Sequence, residues 1–164
     1  MKLLEAIESA AALLPPKYDN GIPYKRLMLG ITFQEADGIH RKQKGGGPAR
    51  GLWQYEKGTV ESRGGVTGLM LHPATRIDLL HFTESFGIPF DADAIWKALE
   101  FNDVLAAGLA RLSLWIGPGK IPTTEKAAWE YYESIWNPGQ PRPEKWPKSW
   151  ALANEELKKA GLVK

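Results

Sequence analysis

Pro23-Tyr24-Lys25-Arg26-Leu27-Met28-Leu29-Gly30-Ile31-Thr32-Phe33-Gln34-Glu35-Ala36-Asp37-Gly38 is the stretch on which the reading of this chain turns. Tyr24, Leu27, Met28 and Ile31 fall at i, i+3, i+4 and i+7, the spacing of one apolar helix face. Pro23 suits the first helical position, where its missing N–H would have had no partner, and Gly38 suits a left-handed cap just past the end. This predicts a helix from Pro23 to about Asp37. Glu35 lies 11 residues beyond Tyr24, which at about 100° per residue is roughly three turns plus 20°. Glu35 therefore belongs to the apolar face. A carboxylate there, in the last turn, is disfavoured when charged by desolvation and by the negative end of the helix dipole. Both raise its pKa, as a general acid requires. The competing reading is a side chain swung to solvent at a frayed helix end.

Working outward, Leu3, Leu4, Ile7, Ala11 and Leu14 give a short amphipathic helix over 2–14, stopped by Pro15-Pro16. The turn-like Asp19-Asn20-Gly21 then leads into the Glu35 helix. Beyond it, nine of the 17 glycines lie between Gly38 and Gly68, no helical period survives, and a long loop with room for a small hairpin is expected. Helical patterning returns at His72-Pro73 and runs to about Phe86, ahead of Gly87. A shorter helix starts near Asp91 or Asp93 and carries Trp96 and Leu99. Asn102 can cap a very apolar helix with Leu105, Leu109 and Leu112, ended by Gly117-Pro118-Gly119. Thr123 or Thr124 caps another, with Ala128, Tyr131, Tyr132 and Ile135, closed by Asn137-Pro138-Gly139. Four prolines mark 137–148 as an extended strap, and a final helix is expected over 149–160. No repeat and no alternation of the kind a large sheet needs is present. The fold class is mainly α, one domain over 1–164.

The composition fits that class: 164 residues, 43% apolar, 24% charged and a net charge of +2 describe a folded globular domain. There is no cysteine, which excludes disulfides, thiolate metal sites and cysteine nucleophiles. Glu5 and Glu8 interrupt the apolar N-terminal stretch, so no signal peptide is expected. No apolar run approaches the roughly 20 residues of a membrane span, and no membrane partner is expected. His40, His72 and His81 show no trusted metal-ligand spacing with carboxylates. No metal and no organic cofactor are therefore expected.

The second constellation is Gly45-Gly46-Gly47-Pro48-Ala49-Arg50-Gly51-Leu52-Trp53-Gln54-Tyr55-Glu56. It lacks the Lys-Ser/Thr pair of a phosphate-binding P-loop. Glycines followed by an aromatic and an amide suit a carbohydrate cleft: backbone close to a sugar, a ring to stack on it and an amide to bond it. Trp53 is the tryptophan expected against sugar, although a plain turn-rich loop has the same composition. Glu56 or Glu61 could supply a second carboxylate that positions water, with solvent exposure the expected fate of Glu61. The cluster Arg41-Lys42-Gln43-Lys44 reads as a solvated charge run, and no nucleic-acid partner is expected.

Phe33-Gln34-Glu35-Ala36, then Gly51-Leu52-Trp53-Gln54, then Leu114-Trp115-Ile116-Gly117-Pro118 together resemble the three motifs of the soluble lytic transglycosylases and goose-type lysozymes. The Pro48-to-Glu56 stretch is similar to that of bacteriophage-encoded members. The resemblance covers about residues 24–136 and implies a lysozyme-like fold whose cleft is lined by the glycine-rich loop. It implies that Glu35 is the sole catalytic acid/base, that Gln54 lines the sugar cleft beside it, and that Gly51 lets the loop turn. Trp53, Tyr55, Glu56 and Trp115 are the further substrate-contact candidates. Two departures stand out: Ala36 where the family has a serine that orients the glutamate, and Leu114-Trp115 where it has a tyrosine-asparagine pair that supports it.

The function so implied is cleavage of peptidoglycan glycan strands by a phage-type murein lytic transglycosylase. A hydrolytic lysozyme, and a virion structural or wall-binding protein that keeps the fold without catalysis, stay open beside it. The expected partners are glycan strands and other virion proteins. Such a protein would be made in the host cytoplasm and reach the wall in a phage particle or through a lysis channel.

Overall fold

The computed structural model describes residues 2–18, 21–136 and 138–164. Among them are eight helices: α1 (Leu3–Leu13), α2 (Ile22–Ala36), α3 (Gly65–Leu71), α4 (Arg76–Glu84), α5 (Ala92–Ala98), α6 (Asp103–Ile116), α7 (Glu125–Trp136) and α8 (Trp146–Lys159). The protein is mainly α, as its periodicities predict. Two short 3₁₀ turns, Lys44–Gly46 and Pro143–Lys145, interrupt the connections.

The centre of the molecule is α6, in which every residue from Val104 to Leu114 is buried. Asn102 caps it by accepting from the Leu105 N–H at 2.9 Å, and small residues let its neighbours close in. At Gly108 a Cβ would lie 2.0 Å from the Phe82 ring, so α4 can approach only because that position is glycine. Around α6 the buried faces of α1, α2, α4, α7 and α8 share one apolar cluster. Within it α2 packs on α8, with Trp146 and Trp150 against Gly30.

The structure shifts several boundaries. The glycine-rich stretch gives way to α3 at Gly65, where Val66 and Leu69 bury one short face; a run of 7 residues that itself holds two glycines is too brief to show a period. His72 to Thr75 form a turn rather than the start of α4, with the Thr75 and Arg76 N–H groups both donating to the His72 carbonyl. Helix α8 begins at Trp146, ahead of Ser149, because Pro147 falls in the first turn, where a missing N–H is tolerated. The strap is correspondingly shorter and itself contains a turn. Asp37 takes the left-handed cap of α2 at φ 52°, ahead of Gly38 at φ 72°. The turn expected at Asp19-Asn20 and the helix end expected at Asn137 lie outside the described residues.

The small hairpin expected within 38–68 is reduced to two isolated antiparallel bridges, Lys42 with Arg50 and Arg50 with Tyr55. Two side chains fasten this segment to α2: Thr32 Oγ1 donates to the Leu52 carbonyl at 2.7 Å and Trp53 Nε1 to the Met28 carbonyl at 2.9 Å. The loop is thereby pinned beside the helix that ends in Glu35. No helix among the described residues is long and apolar enough to cross a membrane.

Candidate active site

Glu35 lies at the C-terminal end of α2, between buried Gln34 and Ala36, and lines an open groove of about 1000 Å³. Its carboxyl has not swung into solvent. Tyr132 of α7 donates its phenol to Glu35 Oε1 at 2.5 Å. The phenol is itself fixed by aromatic packing: Trp146 stacks on it at 5.3 Å and 11°, and Trp136 at 6.4 Å and 29°. A rigid ring holding one carboxyl oxygen leaves the other for a ligand, the arrangement a positioned acid needs.

Desolvation is the largest influence on Glu35 and raises its pKa; the Tyr132 hydrogen bond and the charges of Arg142 and Lys145 oppose it. The helix end explains the cations. The Gln34 carbonyl, one of the last of α2, accepts from Arg142 Nη2 at 3.0 Å and Lys145 Nζ at 2.6 Å, so the orphan carbonyls of the helix are answered by positive charge. Gln34 also donates to the Arg142 carbonyl and accepts from Ser149 Oγ, both at 3.0 Å. The segment before α8 thus clamps the last turn of α2. The rise expected from the dipole is countered here, and burial carries it alone.

The remaining site candidates divide. Gln54 and Glu56 line the groove with Glu35, as does Tyr55. Gln54, at φ 52°, donates its amide to the Gly51 carbonyl at 2.9 Å and the His40 carbonyl at 3.2 Å, which leaves its carbonyl oxygen for a donor in the groove. Tyr55 bonds Ser113 Oγ at 2.6 Å, and burial pushes its phenol pKa up. Glu56 is exposed, and Glu61 is exposed outside the groove. Gly51 makes the turn rather than the surface: it sits at φ 74°, where a Cβ would meet Ala106 and Leu99 at 3.1 Å.

Two expectations are corrected. Trp53 is fully buried, with its indole on the Met28 carbonyl; a ring closed on both faces by core cannot stack on sugar. The tryptophan that lines the groove is Trp136, whose Nε1 donates to the Trp53 carbonyl at 3.2 Å. Trp115 packs edge-on against Tyr18 at 5.1 Å and does not line the groove, while the next residue, Ile116, does. Tyr132 is the partner of Glu35 that the sequence did not reveal. Its one signal was a Tyr-Tyr pair in a tryptophan-rich helix, since a buried phenol must find an acceptor, but sequence could not say which.

The basic run is absorbed locally: Arg41 pairs with Asp103 through two 2.6 Å contacts and Lys44 with Asp37 at 2.8 Å. No group of three or more His, Asp or Glu among the described residues is placed to hold a metal ion. Compared with known family models, curated proteins and solved structures, the chain matches none.

Proposed function

We propose that the protein cleaves peptidoglycan glycan strands as a lytic transglycosylase of lysozyme-like fold, with Glu35 as its acid/base. The observation that carries this reading is the Glu35 carboxyl itself: set in an open groove, shifted toward its protonated form by burial, and held at one oxygen by Tyr132. Protonated Glu35 donates to the glycosidic oxygen as the bond to the muramic C1 breaks. The resulting carboxylate then takes the proton of that residue's C6 hydroxyl as its oxygen bonds to C1, which restores the acid and leaves a 1,6-anhydro end. Proximity of the sugar's own hydroxyl replaces a second protein carboxylate. Tyr132 also supplies from α7 the phenol that Leu114-Trp115 does not, which favours catalysis over a purely structural role. Glycan strands are the proposed partner, and a phage particle or lysis channel the proposed route to the wall.

Mass spectrometry of muropeptides released from sacculi tests this. Anhydromuramic ends, lighter than reducing ends by one water, are expected. Reducing ends would make the protein a hydrolytic lysozyme and promote Glu56, in the same groove, to water-positioning base. No release by folded protein would leave the virion structural role.

A further inference from the structure

The groove has a second wall, formed by residues of 56–73, and that wall carries a cation without a counter-ion. Arg63 lines the groove, is exposed, and has no ion pair or side-chain hydrogen bond among the described residues. The acidic residue nearest in sequence, Glu61, is exposed outside the groove and forms no ion pair with Arg63 among the described residues. Of the carboxylates that do line the groove, Asp37 is neutralised by Lys44 and Lys145, each at 2.8 Å, and among the described residues neither Glu35 nor Glu56 forms an ion pair with Arg63.

Arg63 is also held where arginine is a poor choice for the backbone. It is left-handed at φ 51°, a conformation for which turn chemistry favours glycine or asparagine. The loop around it is fixed by reciprocal bonds: the Thr59 N–H donates to Ser62 Oγ and the Ser62 N–H to Thr59 Oγ1, both at 3.0 Å, while the Arg63 N–H donates to the Thr59 carbonyl at 3.0 Å. At the base of the loop Gly58 passes so close to the Gly64 carbonyl that a Cβ would lie 1.9 Å from it. An arginine kept in a strained position on a fixed loop tip, over a groove, suggests a role for its side chain rather than for the turn. On the same wall His72 accepts the Ala74 N–H at Nδ1, 3.1 Å. In the neutral ring this puts the proton on Nε2, which makes His72 a hydrogen-bond donor in the groove.

We propose that Arg63, aided by the Nε2–H of His72, forms an anion subsite for a carboxylate on the lactyl-peptide arm that projects from the muramic residue. This rests on the reading of the groove as a glycan cleft and adds a substrate determinant to it. The N-acetyl sugar backbone is neutral, so a fixed guanidinium has nothing to neutralise on it. The arms carry carboxylates, the planar anions that match the arginine fork.

Binding to a Glu35→Gln protein, which holds substrate without turning it over, tests the subsite with three probes: a murein tetrasaccharide with tetrapeptide stems, the same tetrasaccharide stripped by amidase to free lactyl carboxylates, and N-acetylglucosamine tetramer. Adding Arg63→Asn, which suits the left-handed backbone, should weaken binding of a carboxylate-bearing probe about tenfold, the loss of one charge-assisted contact. The tetramer should bind unchanged. Which of the two murein probes loses affinity identifies the stem or the lactyl group as the carboxylate recognised. Arg63→Gly, equally suited to the backbone, should behave alike, and His72→Ala should show a smaller loss with the same selectivity. Equal losses on all three probes, or no loss on any, would overturn the subsite. Binding of none by the parent Glu35→Gln protein, together with no release from sacculi by the unmodified one, would instead remove the glycan reading and this inference with it.

Discussion

Glu35 and Asp37 stand two residues apart at the end of α2, line the same groove, and have pKa values shifted in opposite directions. The Glu35 carboxyl is hydrogen-bonded to Tyr132, and desolvation raises its pKa. Asp37 is left-handed and faces out; hydrogen bonds from Lys145 and Lys44 hold its carboxyl well below the usual carboxylate range. The difference arises from backbone geometry as much as from neighbours. One residue still in the helix turns its side chain to the apolar face, and one that has left it turns its own to the lysines. Lys145 serves both, capping the Gln34 carbonyl and pairing with Asp37. A single cation there closes the helix end and anchors the anionic rim, while the acid beside it keeps a raised pKa. Divergent carboxylates of this kind are what acid/base assignments rest on.

The strongest way to break this contrast is Glu35→Gln. Removing a general acid should lower sacculus clearing by roughly 10²–10⁴-fold. The stability consequence has a fixed sign. A carboxyl whose folded pKa is raised contributes stability that is fully present below its unfolded value, about 4.5, and is lost as pH rises through the folded value. Glu35→Gln should therefore match the parent in Tm below that pH and exceed it at neutral pH. A variant that is inactive but also less stable at neutral pH would mean that Glu35 is a structural acceptor for Tyr132 rather than a poised acid.

Tyr132→Phe should sharpen the contrast further. The phenol lowers the Glu35 pKa against the larger effect of burial, so its loss should move the pKa up and carry the alkaline limb of the kcat/KM profile to higher pH. The rate at the optimum should fall about tenfold as the free oxygen loses its fixed orientation. Unchanged KM with lowered kcat is the expected split, since the ring lies behind the acid. A profile that keeps its alkaline limb would place the titrating group elsewhere.

Much of this was legible in the sequence, and the parts that were not share a cause. The face of α2 could be counted from Tyr24 to Glu35 because a helix has one period. The caps Asp91 and Asn102 could be named because a side-chain oxygen before an apolar run has a specific N–H to serve, and both do so. The short α3 was hidden because 7 residues hold too few turns for a pattern to rise above loop composition. Trp53 and Trp136 exchanged roles because sequence gives an aromatic its helix or loop but not its partner. A tryptophan in a glycine-rich loop reads as exposed until Met28 is seen to accept its indole. Tyr132 and the clamp from Arg142 and Lys145 reach Glu35 across about 100 residues of chain, and no local pattern encodes such a meeting.

Asp37→Asn tests the other half of the contrast, with the smallest expected effect. Asparagine tolerates the left-handed cap, so the change removes charge and little else. A carboxylate with a depressed folded pKa contributes stability present above its unfolded value, about 3.8, and loses it as pH falls through the folded value. Asp37→Asn should therefore lower Tm at neutral pH and converge with the parent in acid, the opposite sign and direction to Glu35→Gln. Its side chain is 43% exposed, so solvent screens both ion pairs and the loss should be about 1–3 °C. Added salt should shrink it further. Activity should change mainly through Lys145: already 2.6 Å from the Gln34 carbonyl and released from Asp37, that cation is free to swing toward Glu35, which would lower the Glu35 pKa and draw the alkaline limb to lower pH. Opposite shifts from Asp37→Asn and Tyr132→Phe would show that the two carboxylates are tuned through one helix end, whereas an Asp37→Asn profile identical to the parent's would mean that Lys145 is fixed by the Gln34 carbonyl alone.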